Sequence, residues 1–241
     1  MADDAIQPVV LTTPERGGAA ETIGVALRGH PGIADPLVHR DTAGHGAARA
    51  TRDAIRLAAA GGRHVLFVED DVSVDHEAPA RIAATTFPDG VAVMSFCDMR
   101  EVAEFSAAGL YRRSPLGSDG RGWWGNQALL IHRDTVAMCC TEDWFGPTIE
   151  SSLGVRVHQA TYRDQGRNCS DIRLAMLVHL YGGSRRDYAV SVPSVFRHVG
   201  HTSLCFPGRG MGERETRNWI GDRRRFGIDR QLAAEHLDLV P

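Results

Sequence analysis

The chain has 241 residues, 43% hydrophobic and 24% charged, which is enough length and apolar content for one sizeable globular core. A formal net charge of -3 argues against a generally basic nucleic-acid binder and leaves room only for a local basic patch. All 27 residues counted as Lys+Arg are Arg, so chemistry that depends on a lysine is excluded.

Pro8-Val9-Val10-Leu11 predicts a short strand ending at Thr12-Thr13-Pro14-Glu15-Arg16. Ala19 to Arg28 predicts a helix, with Ala20, Ile23, Ala26 and Leu27 near one face and Gly29 and Pro31 as stops. Pro36 to His39 predicts a second strand that turns at Arg40-Asp41-Thr42. Gly44 and Gly46 loosen the backbone before a helix from Ala47 to Ala60, which Gly61-Gly62 caps. Its Ala47, Ala50, Ala54, Ile55 and Ala58 share one face. The β-branched and aromatic run Val65 to Val68 then predicts a buried parallel strand. Strand, helix, strand, helix, strand is the order of a parallel, doubly wound half.

Ala78 to Thr86 predicts a short helix, and Val91 to Cys97 a buried strand followed by Asp98. Met99 to Arg121, with Gly109, Pro115, Gly117 and Gly120, is expected to be a flexible loop over a cleft. Gly122-Trp123-Trp124-Gly125-Asn126-Gln127 leads into a strand, Ala128 to Ile131, and Asp134 to Cys140 predicts a helix. Glu142 to Arg167 shows no clear period. Asp171 to Leu180 is a strong helix with Ser170 or Asp171 as N-cap, and Tyr188 to Val192 is a strand leading to Pro193 to His201. From Phe206 the chain is Gly- and Arg-rich, including Arg223-Arg224-Arg225. No apolar run approaches ~18 residues, and the N-terminus lacks a signal-peptide pattern. Five Cys without C-x-x-C spacing suit free buried thiols in a reducing cytosol. A cytoplasmic protein with no membrane partner is expected.

The chemistry centres on VLFVEDDVSV, Val65 to Val74. Glu69, Asp70 and Asp71 follow a buried strand, where carboxylates repel one another and resist desolvation. A bound cation resolves that conflict, and hard oxygen ligands suit Mg²⁺ or Mn²⁺. In open α/β sheets the ligand crevice lies outside the carboxyl ends of the strands, so the acids predict a metal site in a cleft. The plain alternative is acids fraying into solvent. VLFVEDD also resembles the first strand of bacterial receiver domains, but that reading needs the motif near the domain start and a Lys. Here it begins at Val65 and there is no Lys, which also excludes a Walker P-loop.

The longer run GHGAARATRDAIRLAAAGGRHVLFVEDD resembles the approach to the metal-binding DxD motif in glycosyltransferases of the GT-A fold. Its EDD form is similar to that of N-acetylglucosaminyltransferases acting on glycans. The resemblance implies an α/β, GT-A-like (Rossmann-like), mostly parallel sheet flanked by helices in a single domain. It implies that Asp71 binds the metal, Mn²⁺ or Mg²⁺, while Glu69 and Asp70 reach the nucleoside of a nucleotide-sugar donor, a UDP-sugar by first expectation. The cation would bridge the donor diphosphate and stabilise the departing nucleotide. PVVLTTPER resembles the first strand and base loop of that fold, marking Thr13 and Arg16 for base or phosphate contact and Asp41 for the base. WWGNQALLI resembles the loop near donor sugar and acceptor. There Gly125 permits close approach, Asn126 and Gln127 offer amide hydrogen bonds, and Trp123 or Trp124 offers a flat face to the acceptor.

Asp171, opening its helix, matches the acid of the family's base motif, with Glu142 and Asp143 of TEDWF as rivals. An inverting transfer needs such a carboxylate to take the acceptor's proton, whereas an N-cap Asp needs no chemistry. PSVFRHVGHTS resembles the C-terminal element that carries a metal-ligating or phosphate-contacting His: His198 first, His201 second. Imidazole ligation favours Mn²⁺. Arg209 to Arg225 would close over the diphosphate or form a solvated basic tail.

The resemblance covers residues 8 to 204 and rests on motif order. It departs in the short chain before the acids and in lacking a membrane anchor and stem. It divides the chain into a nucleotide-sugar-binding half (8–98), an acceptor and catalytic half (99–205) and an Arg-rich tail (206–241). The expected activity is metal-dependent inverting transfer of a sugar to a hydroxyl on a small molecule, peptide or glycan, with modified DNA less favoured by the net charge. One alternative is a sugar-phosphate nucleotidyltransferase, for which Glu15-Arg16-Gly17-Gly18 is a faint phosphate loop. Another is a non-catalytic nucleotide or sugar binder.

Overall fold

The computed structural model describes residues 5–99, 102–116, 125–156, 170–200 and 216–227. Strands β1 (Ile6–Thr12), β2 (Leu37–Arg40) and β3 (His64–Glu69) run parallel, with Val9 opposite Leu37 and Val10 opposite Val68. Helices α1 (Gly17–Leu27) and α2 (Ala47–Ala58) supply the crossovers that parallel neighbours require. Alternate residues serve opposite layers. Val9, Val65 and Phe67 join Ala54, Ile55 and Ala58 of α2 in one core, while Val10, Leu66 and Val68 join Ala20, Ile23 and Leu27 of α1 in the other. Covering both faces explains the unbroken apolar run of β3. Ile55 is fully buried, a contribution of about 2 kcal/mol by transfer.

The chain leaves β3 through a turn at Asp70 and Asp71 into β4 (Val72–Val74) and α3 (Ala78–Ala83). It continues through β5 (Val91–Ser95), β6 (Gly109–Arg113), β7 (Ala128–Ile131), α4 (Arg133–Cys139), α5 (Pro147–Arg156), α6 (Ser170–Tyr181), β8 (Asp187–Val192), β9 (Phe196–His198) and α7 (Ile220–Phe226). The main sheet has seven strands in the order β2-β1-β3-β7-β5-β8-β6, and β4 and β9 form a second, two-stranded sheet. Strand β7 runs antiparallel between β3 and β5, and β6 runs antiparallel to β8; β5 and β8 are parallel. The architecture is thus α/β, a mostly parallel mixed sheet flanked by helices. A register shift between Val91 and Val93 turns the adjacent Ala92 and Val93 toward the same core, as a bulge does.

Three stretches differ from expectation. The segment from Met99, expected as a flexible loop, contributes β6 to the sheet. Its edge position leaves Leu110 and Arg112 exposed, which removes the alternation that marks a half-buried strand. The unreadable stretch after Glu142 forms a 3₁₀ turn, Glu142–Phe145, and then α5. The Arg-rich tail is neither wholly solvated nor free: residues 216–227 pack into the fold, with Arg223 1% exposed. Cys97, Cys139 and Cys140 are free thiols, and burial pushes the Cys97 thiol up to about 12. No described helix is long and apolar enough to cross a membrane.

Candidate functional site at the carboxyl ends of the central strands

Strands β1, β2 and β3 are parallel, so their last residues gather at one end of the sheet. Thr13 and Arg16 follow β1 there, and Asp41 follows β2 with its N–H donated to the Thr12 carbonyl at 2.9 Å. Asp41 Oδ1 accepts the His45 N–H at 3.1 Å, tying the loop before α2. Asp70 turns back into the protein. It accepts the Thr12 hydroxyl at 2.6 Å and faces the Arg16 guanidinium at 3.4 Å. Burial raises its carboxyl above the ordinary range, against the opposing pull of Thr12 and Arg16. Thr12 was not legible as a site residue; its one sequence signal is its place as the last residue of β1.

Asp71 differs from Asp70. Its Oδ2 lies 3.2 Å from His198 Nε2, while its Oδ1 is buried with no hydrogen-bond partner among the described residues. The pairing of β4 with β9 causes this meeting across the sequence, because Val72 stands opposite His198 and the Val199 N–H donates to the Asp71 carbonyl at 2.7 Å. Gly200 closes the corner: a Cβ there would come within 2.9 Å of Asp71 Oδ2 and 3.1 Å of His198 Nε2. An orphaned carboxylate oxygen beside an imidazole nitrogen, in a corner that glycine leaves open, is a donor pair that a divalent cation fits. Two protein ligands would leave the remaining positions of such a cation to other oxygen ligands, as is usual for Mg²⁺-type ions.

The second half of the sheet delivers its residues to the same end. Val68 pairs with Ala128, and the Glu69 N–H donates to the Gln127 carbonyl at 3.0 Å, so the loop before β7 lies against the acids. Gly125 has φ +77°, and an added Cβ would fall on the Gln127 amide oxygen and press on Met99. Asn126 and Gln127 are buried, and Gln127 Oε1 has no hydrogen-bond partner among the described residues. The Gly125 N–H donates to Asp171 Oδ2 at 3.2 Å, and the Ile172 N–H donates to Oδ1 at 2.9 Å. The first turn of α6 therefore holds Asp171 in orientation at the glycine loop. Trp123, Trp124 and His201 lie outside the described residues.

The rivals Glu142 and Asp143 are engaged elsewhere. Glu142 pairs with Arg52 and Arg56 of α2, and Asp143 accepts the Thr141 hydroxyl at 3.0 Å. Trp144, the next residue, is fully buried and donates its indole N–H to the Cys139 carbonyl at 2.8 Å. The tail arginines are engaged too. Arg223 donates to the Ser106 carbonyl at 2.6 Å, and Arg224 donates to both oxygens of Asp75 at 2.7 and 3.0 Å and to Glu77 at 2.8 Å. Asp75, His76 and Glu77 are close enough together to hold a metal ion, but Arg224 already balances both carboxylates. Burial opposes ionisation of Asp75, yet Arg224, the Glu77 N–H and His76 together hold its carboxyl below the ordinary range.

No protein-family model and no curated protein sequence matches this chain.

Proposed function

We propose that the chain is a metal-dependent inverting glycosyltransferase of GT-A type, moving a sugar from a nucleotide-sugar to a hydroxyl acceptor. The observation that carries the reading is the meeting of Asp71 with His198 at 3.2 Å, where a buried carboxylate oxygen has no hydrogen-bond partner among the described residues. Asp71 and His198 would hold Mn²⁺ or Mg²⁺, which when bound offsets the charge of the departing nucleoside diphosphate. Asp171, fixed by two backbone donors beside Gly125, is placed to take the proton of an acceptor hydroxyl. Gly125 and the buried Gln127 amide shape the pocket for the donor sugar, and Asp41 with the Thr13–Arg16 turn lines the nucleoside end. Glu69, the last residue of β3, would reach the nucleoside. Asp70 shapes the turn from within, through Thr12 and Arg16.

The test is Mn²⁺-dependent binding and turnover across a panel of nucleotide-sugars, UDP-sugars first, with wild type and Asp71→Ala. Release of a nucleoside diphosphate that needs both Mn²⁺ and Asp71 is the expected result. Release of pyrophosphate selects a nucleotidyltransferase, and binding without turnover selects a non-catalytic binder. Indifference to Mn²⁺ and Asp71 overturns the reading.

A further inference from the structure

His198 ends a strand whose ladder does not use its amide. The ladder bond beside it is made by Val199, whose N–H goes to the Asp71 carbonyl. The His198 N–H points the other way and donates to Thr216 Oγ1 at 2.8 Å, both residues being 7% exposed. The same hydroxyl lies 3.4 Å from Cys97 Sγ and 3.8 Å from Met99 Sδ. Met99 in turn packs against Gly125, the residue that holds Asp171.

Thr216 begins a segment that docks between the chain just beyond β5 and the chain just beyond β8. On one side the Arg217 N–H donates to the Asp98 carbonyl at 2.8 Å, and Asn218 Nδ2 donates to the Asp98 carboxylate at 3.1 Å. On the other, the Ser194 N–H donates to the Asn218 carbonyl at 2.9 Å and the Ile220 N–H to the Ser194 carbonyl at 3.0 Å. Arg224 then latches α7 onto Asp75, in the turn that follows β4.

Resting on the reading of Asp71 and His198 as cation ligands, we propose that Thr216 is a positioning residue for His198, and that docking of residues 216–227 completes the metal site. Without the hydroxyl this buried amide keeps only the weak acceptor Cys97 Sγ, at a cost of about 1–3 kcal/mol. A three-residue strand relieves that cost by shifting, and the shift carries the imidazole away from Asp71. Metal ligation tolerates displacements of only ~0.2 Å, so a small shift weakens binding. The oxygen is the working atom. Serine therefore suffices at this position, and valine, of the same shape without an acceptor, does not.

The experiment is a titration of the full chain with Mn²⁺ alone, followed by the EPR signal of the free ion. Wild type is expected to bind and Asp71→Ala to lose binding, which checks the underlying reading separately. Thr216→Val is expected to raise the Kd about tenfold, the scale of outer-sphere changes at metal sites. Thr216→Ser is expected to stay close to wild type, and Arg224→Gln, at the half-exposed latch, to weaken binding severalfold with an unchanged circular dichroism spectrum. Wild-type affinity in a folded Thr216→Val overturns the positioning role and leaves the site standing. If Thr216→Val does not fold, wild-type affinity in Arg224→Gln overturns it, counted as the binding that Asp71→Ala removes in the same background, because Arg224→Gln also uncovers Asp75 and Glu77. Equal binding by wild type and Asp71→Ala removes both the site and the positioning role.

Discussion

The two ends of β3 hold histidines used in opposite ways. At the amino end His64, Phe87 and His132 pack ring against ring, with centroids 4.8 to 4.9 Å apart. The nitrogen lone pairs are committed to the backbone. His64 Nδ1 accepts the Arg133 N–H at 3.1 Å, and His132 Nδ1 accepts the Asp134 N–H at 3.2 Å, capping α4. Burial, then Arg185 and His64, push the His132 imidazole down to about 4, so it serves as a neutral structural ring. At the carboxyl end His198 turns a ring nitrogen to a carboxylate whose other oxygen is buried and unbonded. One end has its polar atoms matched to backbone partners; the other keeps an acceptor with no partner among the described residues.

The strongest way to break this contrast is Asp71→Ala. It is expected to weaken Mn²⁺ binding by at least about 100-fold, since removing a ligand exceeds the effect of an outer-sphere change. Thermal melting should show no loss of stability, because the substitution also relieves repulsion with Asp70. Asp171→Asn is expected to lower transfer by about 100-fold or more while donor binding persists, read from turnover and equilibrium binding together. Undiminished transfer would remove Asp171 from the base role. Gly125→Ala should cost about 1–3 kcal/mol in denaturant unfolding, because φ is +77° and the Cβ meets Gln127.

The smallest effect sharpens the amino end. Between pH 6.5 and about 4 the unfolded chain takes up a proton that folded His132 refuses, so its contribution to stability is full above that window and falls as pH falls through it. His132→Asn keeps a capping acceptor and removes the titration. Relative to wild type it is expected to flatten stability against pH by up to about 1.4 kcal/mol per unit there. Parallel curves for the two proteins would show that the folded imidazole takes up its proton as readily as the unfolded one.

How much of this was legible follows from what a local pattern encodes. Val65 to Val68 marks a strand covered on both faces, and Ala54, Ile55 and Ala58 mark the covering helix, because burial imposes those periods directly. Asp71, His198, Gly125 and Asp171 were nameable because each stands where a strand or helix begins or ends. Beyond Asp71 and His198, which the resemblance paired, partnership across the fold was not nameable. Thr12 and Arg16 on Asp70, and Thr216 on His198, depend on which distant segment docks where, and no spacing records that. Arg223 and Arg224 look alike in a basic run, yet one is buried on a carbonyl and the other forms a surface latch. Strand β6 was hidden for the opposite reason: an exposed edge imposes little pattern.

The amides of His198 and Val199 are neighbours bonded to different parts of the molecule, one to Thr216 and the other to Asp71. Hydrogen–deuterium exchange at the first amide reports release of the 216–227 segment, and at the second, opening of the small sheet itself. A chain in which His198 exchanges faster than Val199 would reveal undocking as a separate event, resolved at two consecutive residues without any ligand.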